Sequence, residues 1–217
     1  MHLEAHALLG WVIANMVKGD RRTRVWCVAA ASVPDLDALT YLAGADAYRD
    51  WHHTFGHNVF LWGIMTALAF WKLGRPLGAM LVGISFGSHL LTDFYFSGWR
   101  LYLFWPVSRS GYVSQHSVDL GNWINLALIY GLLGVAFLIA LWRKRTPIEL
   151  FSPAFDSLVT SVLRPKTSAC GDCSQPSNLD CARCGSPVCA KHARVGKRFR
   201  VECLKCGQAK SASSSPT

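Results

Sequence analysis

Residues 122–142 read NWINLALIYGLLGVAFLIALW and carry no charged side chain. A helix needs about 20 predominantly apolar residues to cross the hydrocarbon core of a bilayer. Aromatic residues stand near both ends of this stretch, and the basic cluster 143–145 follows it directly. Such flanks are typical of a helix that ends at the membrane–water interface. The sequence therefore predicts a membrane-spanning helix here.

Four weaker apolar segments precede this helix. They cover residues 4–17, 25–43, 58–73 and 76–96. Each is shorter than a full span or carries ionisable side chains, so each needs partners in a helical bundle. The N-terminus has neither the basic stretch nor the small-residue cleavage site of a signal peptide, and we expect the first segment to be retained.

Basic residues in the connections predict the orientation of the segments. They follow the first segment, link the third to the fourth and follow the last: Lys18, Arg21, Arg22, Arg24, Lys72, Arg75 and residues 143–145. By the positive-inside rule these connections face the cytoplasm. The opposite segment ends, which carry most of the histidines and aspartates, then converge on one non-cytoplasmic face.

Histidine and aspartate side chains form four groups at the ends of the segments on that face. The groups are His6; Asp35 and Asp37; His52, His53 and His57; His89 and Asp93. Ionisable groups beside or within spans are energetically costly and usually functional. Imidazole with carboxylate, without cysteine, favours zinc or manganese over a soft metal, and there are enough ligands for two ions. The alternatives are a solvated helix-end histidine, an ordinary loop aspartate pair and a buried His–Asp hydrogen bond.

Spacing within two of these groups predicts shared ligands. His53 and His57 are four residues apart, as are His89 and Asp93. On a helix this spacing places both side chains of a pair on one face. Pro34 ends the helix before it and directs the aspartates that follow into a cavity.

The order of these groups resembles the LexA-binding, inner membrane-associated hydrolases, a family of membrane-bound metal-dependent hydrolases. The resemblance covers roughly residues 1–145 and rests on five ordered motifs. They are Ala5-His6, Pro34-Asp35-Leu36-Asp37, a His-rich stretch ending at His57, Gly87-Ser88-His89-Leu90-Leu91-Thr92-Asp93 and Leu103-Phe104-Trp105-Pro106. The family usually has His-Arg-x-x-Thr-His where this chain has His52-His53-Thr54-Phe55-Gly56-His57. This departure leaves the ligand assignment in that stretch open.

The resemblance implies a divalent metal site and a hydrolytic reaction. The implied ligands are His6, Asp35, His57, His89 and Asp93, with His53 as a further ligand. A more distant similarity to the all-helical zinc-dependent phospholipase C and P1-nuclease group implies phosphoester hydrolysis by metal-activated water. Asp37 and His52 are then catalytic groups or support the ligands. His116 is either a proton donor to the leaving group or a solvated loop histidine.

The chain after residue 164 is polar, basic and rich in cysteine. Eight candidate ligands form four pairs: Cys170 and Cys173, Cys181 and Cys184, Cys189 and His192, Cys203 and Cys206. Two intervening residues let both members of a pair reach one tetrahedral zinc ion. The pattern resembles crossed RING-like and B-box-like fingers, in which the first and third pairs share one ion and the second and fourth share the other. Serial wiring is an alternative, and disulfides are another if the tail lies outside the cytoplasm.

Two zinc ions would use all eight positions, so the module is expected to be structural and to bind a partner. Its basic residues are Arg194, Lys197, Arg198 and Arg200. They could face nucleic acid or anionic lipid, although a solvated basic hairpin is the commoner outcome.

The predicted fold class is all-α: a multi-span transmembrane helical bundle with a small C-terminal zinc-binding module. The expected domains are a membrane-embedded hydrolase-like domain at 1–145, a linker at 146–168, the zinc-binding Cys/His module at 169–208 and a disordered tail at 209–217. By the resemblance, the protein is placed in the cell inner membrane. The metal site faces the non-cytoplasmic side, and the module is cytoplasmic.

The favoured function is hydrolysis of a phosphoester, which includes membrane lipid as a candidate substrate. Zinc or manganese is expected in the membrane domain, and two structural zinc ions in the module. The main alternative is a non-enzymatic membrane scaffold whose zinc module recruits a protein partner, with nucleic acid less favoured. A metal or proton transporter ranks last, because the cytoplasmic halves of the segments contain few polar residues.

Overall fold

The computed structural model describes residues 2–163, 169–173, 175, 177, 179–181, 184–189, 191–195 and 201–206. The predicted disordered tail, the end of the predicted linker at 164–168 and the basic residues Lys197, Arg198 and Arg200 lie outside the described residues. The chain divides into two compact units, residues 1–135 and residues 136–217, with the division inside the last long helix.

The first unit is helical. Its elements are α1 (Leu3–Asn15), α2 (Arg21–Ser32), a 3-10 helix (Pro34–Ala43), α3 (Ala45–Trp51), α4 (Val59–Leu73), α5 (Pro76–Phe96) and the start of α6 (Trp123–Arg143). Both α5 and α6 have 21 residues and are long and apolar enough to cross a membrane. α4 is apolar but shorter. The apolar segment predicted at residues 25–43 is divided at Pro34 into α2 and the 3-10 helix.

Local sequence signals define the helix ends. Asp20 caps α2, because its side chain accepts a hydrogen bond from the Thr23 backbone amide at 2.8 Å. Asn58 caps α4 in the same way through the Leu61 amide at 2.9 Å. Gly74 ends α4 in the left-handed conformation. Arg75 then lies 3.5 Å from Asp20, which brings the α1–α2 and α4–α5 connections together.

α5 packs against α1, α2 and α4 around a core that includes the fully buried side chains of Val82 and Phe86. α1 and α2 approach closely at Gly10. A Cβ atom there would lie 2.7 Å from both the Ala31 Cβ and the Cys27 carbonyl oxygen. The antiparallel course of these helices places the start of α1, the end of α2, the start of α4 and the end of α5 at one end of the unit.

The second unit contains a 3-10 turn (Pro147–Leu150), α7 (Pro153–Leu163) and four short strands. Asp156 connects the turn to α7, because its carboxylate accepts hydrogen bonds from the amide and hydroxyl of Thr146, each at 2.6 Å.

The strands form two antiparallel hairpins, β1 (Leu179–Asp180) with β2 (Pro187–Val188), and β3 (Ala193–Val195) with β4 (Val201–Cys203). The all-α prediction did not include these strands. They are two or three residues long and lie beside the cysteine pairs, where the chain turns tightly.

Candidate metal centre

The end of the first unit where these helix ends meet contains a compact cluster of ligand atoms. Asp35 begins the 3-10 helix, His57 lies in the loop before α4, and His89 with Asp93 lies on the last two turns of α5. One ligand atom from each of these four residues lies within 4.8 Å of the other three. The cluster therefore combines residues up to 58 positions apart in the sequence.

The distances within this cluster have the dimensions of a metal site. The Nε2 atoms of His57 and His89 are 2.9 Å apart, and Asp93 Oδ2 is 3.2 Å from each. Asp35 Oδ1 is 3.7 Å from the same two nitrogens. Four tetrahedral bonds of about 2.0–2.1 Å would place ligand atoms about 3.3 Å apart. The observed separations bracket this value.

Hydrogen bonds fix which nitrogen of each imidazole faces the centre. His89 Nδ1–H donates to the Ala31 carbonyl oxygen at 2.7 Å, and His57 Nδ1–H donates to Asp37 Oδ2 at 2.9 Å. Each Nε2 then directs a lone pair at the other, an arrangement that a cation between them would satisfy. Such second hydrogen bonds are usual for metal-ligating histidines.

Asp35 gives further evidence that these donors fit a metal ion. Its Oδ2 atom is buried and has no hydrogen-bond partner among the described residues, and an unpartnered buried carboxylate oxygen is energetically costly. Its side chain is 13% exposed, whereas those of His57, His89 and Asp93 are at most 1% exposed. The cluster is therefore open to its surroundings on the Asp35 side.

Asp37 lies behind His57, outside the four-ligand cluster. Its fully buried carboxylate accepts hydrogen bonds from His52 Nδ1 at 2.7 Å, from His57 Nδ1 at 2.9 Å and from the Gly56 amide at 3.3 Å. Burial acts to raise the pKa of Asp37, but the hydrogen bonds from His52 and His57 outweigh it and hold that pKa below its usual value. Asp37 therefore orients both imidazoles.

His6 and His53 flank the cluster. His6 Nε2 is 3.1 Å from Asp93 Oδ1, and its ring stacks on that of His89 with centroids 3.7 Å apart. His53 Nε2 is 3.5 Å from Asp93 Oδ2, and its buried Nδ1 has no hydrogen-bond partner among the described residues. Asp93 therefore directs Oδ1 towards His6 and Oδ2 towards His53, His57 and His89.

The helical arrangement expected for His53 and His57 was wrong. Residues 52–58 form turns, and His53 has a φ angle of 63°, a conformation that is costly for a residue with a side chain. This turn brings His57 into the ligand cluster and places His53 beside the cluster.

His116 lies apart from the other predicted site residues. It is exposed in the connection between α5 and α6, where its backbone amide donates to the Ser114 hydroxyl at 3.1 Å. Within the part of the chain that the structure describes, no contact joins His116 to the cluster. This position agrees with the second interpretation from the sequence, in which His116 is a solvated loop histidine.

Several residues of the site had no sequence signal. The Tyr48 ring stacks on His52 at 4.6 Å, and the Trp99 ring meets His52 edge-on at 5.3 Å. The Ala31 carbonyl oxygen orients His89 although alanine carries no functional side chain. Only the close packing of α2 against α5 creates this contact.

The C-terminal unit contains two further clusters. The first has Cys170, Cys173, Cys189 and His192, and the second has Cys181, Cys184, Cys203 and Cys206. This grouping, with the first and third pairs together and the second and fourth pairs together, is the crossed one. The sulfur atoms of Cys173 and Cys189 are 3.6 Å apart, and those of Cys184 and Cys203 are 3.8 Å apart. Four tetrahedral bonds of about 2.3 Å to zinc would place sulfurs about 3.8 Å apart.

Comparison with known proteins relates the first unit to one family. The family model described as YdjM inner membrane protein matches residues 1–165. No curated protein and no solved structure matches the chain. The family match includes the His/Asp cluster and ends before the cysteine clusters.

Proposed function

Since the chain belongs to the family of YdjM inner membrane proteins, we propose that it is a membrane-bound, metal-dependent hydrolase of a phosphoester. The observation that carries this proposal is the cluster of Asp35, His57, His89 and Asp93, whose ligand atoms all lie within 4.8 Å of one another. Three of these side chains are buried, and the fourth opens the cluster on one side. Four protein ligands fill a tetrahedral site, so catalysis at this ion would require a fifth coordination position for water, on the Asp35 side.

The donor set favours an ion of the zinc or manganese type, because it combines imidazole nitrogens with carboxylate oxygens and contains no thiolate. Such an ion would polarise a phosphoryl oxygen and lower the pKa of water. Asp35, His57, His89 and Asp93 would hold it. His6 Nε2 lies beside Asp93 Oδ1, the oxygen that faces away from the cluster. These two atoms would be a ligand pair for a second ion.

His52 is the residue best placed to move a proton. Its Nδ1 atom donates to Asp37 at 2.7 Å, and its side chain is partly exposed beside the cluster. A buried carboxylate that holds one imidazole nitrogen leaves the other nitrogen oriented to accept or donate a proton. His52 is therefore the proposed acid or base, and Asp37 is the residue that positions it.

The substrate class is supported by the order of the motifs and not by this geometry alone. Pro34-Asp35-Leu36-Asp37 followed by Ser88-His89-Leu90-Leu91-Thr92-Asp93 resembles membrane-bound metal-dependent hydrolases, and the latter motif resembles the metal-bridging helix of zinc phospholipases. We therefore take phosphodiesters, lipid headgroups included, as the first substrates to test.

The experiment measures metal content and hydrolysis of bis(p-nitrophenyl) phosphate and p-nitrophenyl phosphate on the same detergent-purified protein. We expect His89→Ala to lose the metal of the first unit and all turnover, and His52→Ala to keep the metal and lose most turnover. His116→Ala is the matched control, since this exposed histidine lies outside the cluster, and it should retain both. Metal-loaded protein that hydrolyses neither phosphomonoesters nor phosphodiesters would contradict the proposal and favour the membrane scaffold.

We further propose that the zinc module is cytoplasmic and binds a protein partner. The basic cluster at 143–145 after α6 supports the cytoplasmic side. A reporter fused after residue 206 tests the location. Reporter activity restricted to the periplasm would overturn it.

A further inference from the structure

The 3-10 helix Pro34–Ala43 is ten residues long, although 3-10 runs longer than 3–4 residues are uncommon. Because this helix has three residues per turn, residues three positions apart lie in one row along it. One row faces the unit's interior, where Pro34 and Asp37 are fully buried. The Thr40 hydroxyl in the same row donates to the Asp37 carbonyl oxygen at 2.6 Å.

A second row of the same helix consists of Leu36, Leu39 and Leu42, which we call the leucine row. These side chains are 56%, 61% and 85% exposed. A continuous apolar surface of this kind is unusual on a protein surface in contact with water and marks a site of interaction. The leucine row therefore needs an apolar covering that the first unit does not supply within its described residues.

The position of the metal centre along α5 gives the depth of this helix in a membrane. α5 has 21 residues, a length of about 31 Å at about 1.5 Å per residue, which matches the hydrocarbon thickness of about 30 Å. Asp93 lies three residues before the end of α5 at Phe96. Asp35 Oδ1 is 3.7 Å from His89 Nε2. At about 1.5 Å per residue, Asp93 and His89 lie about 5 and 10 Å before that end, so the 3-10 helix begins just inside one boundary of the hydrocarbon core.

The surroundings of the leucine row have the composition of a membrane–water interface. Tyr41 meets the Tyr48 ring edge-on at 5.8 Å, and Tyr48 meets the Trp99 ring at 5.6 Å. Tyrosine and tryptophan are enriched at this depth. α3, which packs against the 3-10 helix, exposes the charged side chains of Asp46 and Arg49 to water. An apolar helix paired with a charged helix is suited to lie in the plane of the interface.

We propose that the leucine row inserts among the acyl chains of the phospholipid bilayer, beside the metal centre. A bilayer is the occupant that the position favours, because the row starts just inside the hydrocarbon boundary at the end of α5. This inference concerns membrane contact and does not depend on the proposed hydrolase activity. The inserted leucine row would be a further membrane contact besides the two helices of spanning length. It would hold Asp35 and Asp37 at the lipid surface.

The test uses the full chain in nanodiscs that contain a phospholipid with a diazirine on its acyl chain. After photolysis, peptide mass spectrometry should find lipid adducts on Leu36, Leu39 or Leu42, at a yield comparable with that of α6. The residues of α3, on the charged side, should carry few. Leu36→Ser/Leu39→Ser/Leu42→Ser should abolish labelling of this peptide and leave that of α6 unchanged.

Hydroxyl-radical footprinting of the wild-type protein provides a second readout that needs no variant. Leu39 should be protected in nanodiscs, and Val195 of β3, an aliphatic side chain that is 69% exposed, should be oxidised more strongly than Leu39. Strong oxidation of the leucine row without lipid adducts would show that water covers it and would overturn the inference. Cross-links from this row to a second copy of the chain would overturn it as well, by showing that protein occupies the surface.

Discussion

At the scale of single residues, Asp35 and Asp37 show how one motif supplies two different functions. On a 3-10 helix, successive residues are about 120° apart, so two aspartates separated by one leucine lie on different faces. Asp35 joins the ligand cluster, and Asp37 hydrogen bonds to His52 and His57 behind it. The resemblance implied Asp35 as a ligand and Asp37 as a catalytic or supporting group, and the rotation between the two residues along the helix accounts for their different sides.

Asp37→Asn should weaken metal binding without removing a ligand. The asparagine amide has one oxygen that can accept a hydrogen bond, whereas Asp37 accepts from both His52 and His57. Loss of an orienting partner of a metal-ligating histidine typically lowers affinity about 10–100-fold. Titration of the metal-depleted protein measures this change. Asp46→Asn on the exposed face of α3 is the control, and equal affinities for the two variants would refute the positioning role.

Gly56→Ala should destabilise the protein and lower its metal occupancy. A Cβ atom at Gly56 would lie 2.0 Å from the Pro34 carbonyl oxygen and 3.0 Å from Asp37 Oδ2. Overpacking of this kind costs about 1–3 kcal/mol. The melting temperature in detergent and the metal content of the purified protein provide the measurements.

Gly63→Ala is the matched control for that substitution. Gly63 lies within α4, and a Cβ atom there would meet no heavy atom within 4 Å, so alanine should be neutral or favourable by roughly 0.5–1 kcal/mol. A Gly56→Ala protein as stable as Gly63→Ala would show that the loop has room for a side chain.

At the scale of elements, hydropathy closely predicted the two helices of spanning length. The bounds predicted for α5 are those of the structure, and α6 differs from its predicted segment by one residue at each end. α3 and the turns at 52–58 had no such signal, because they are fixed by contacts with the 3-10 helix and by the hydrogen bonds of His52 and His57 with Asp37. The resemblance implied the ligands and gave Asp37 and His52 as catalytic or supporting groups, whereas the Ala31 carbonyl oxygen that orients His89 had no sequence signal.

The N-terminus of α2 offers a test of helix capping. Asp20→Ala should lower stability by about 1 kcal/mol, because it removes the acceptor of the Thr23 amide. Asp20→Asn should restore most of that loss, since asparagine caps helices equally well. Melting temperatures of the three proteins in one detergent measure both effects, and an unrescued Asn variant would show that charge and not capping is important.

The same cap predicts a pH dependence. Hydrogen bonds from Thr23 lower the pKa of Asp20 below its ordinary value. The carboxylate therefore contributes its stabilisation fully above the unfolded pKa of about 3.9 and loses it as the pH falls through the lower folded value. The difference in melting temperature between wild type and Asp20→Ala should be constant from pH 7 to pH 5 and shrink below about pH 4. A difference that shrinks near neutral pH would contradict this assignment.

At the scale of the whole molecule, the two units build their candidate metal clusters in different ways. The first unit gathers ligands from helix ends and leaves one side open, whereas the second surrounds its two clusters with short hairpins. The sequence predicted this division from composition. The sequence did not decide which cysteine pairs share an ion, because ligand spacing alone fits both serial and crossed arrangements.

Crossed wiring should make the two zinc ions depend on each other. Cys189 follows β2, β2 pairs with β1, and β1 leads directly into Cys181 of the other cluster. Cys189→Ala should therefore remove one zinc ion and weaken the binding of the second. Native mass spectrometry of the full chain counts the ions, with His89→Ala used to separate the metal of the first unit. Cys27→Ala, outside both clusters, should keep both ions, and independent loss of a single ion in Cys189→Ala would contradict coupling.

The interleaving of the two cysteine clusters also sets an order of events during synthesis. The first cluster lacks its last ligand until residue 192 has left the ribosome, and the second until residue 206. The His/Asp cluster is complete once Asp93 has emerged, before α6 has been made. The ligand set of the first unit is therefore complete well before those of the two cysteine clusters.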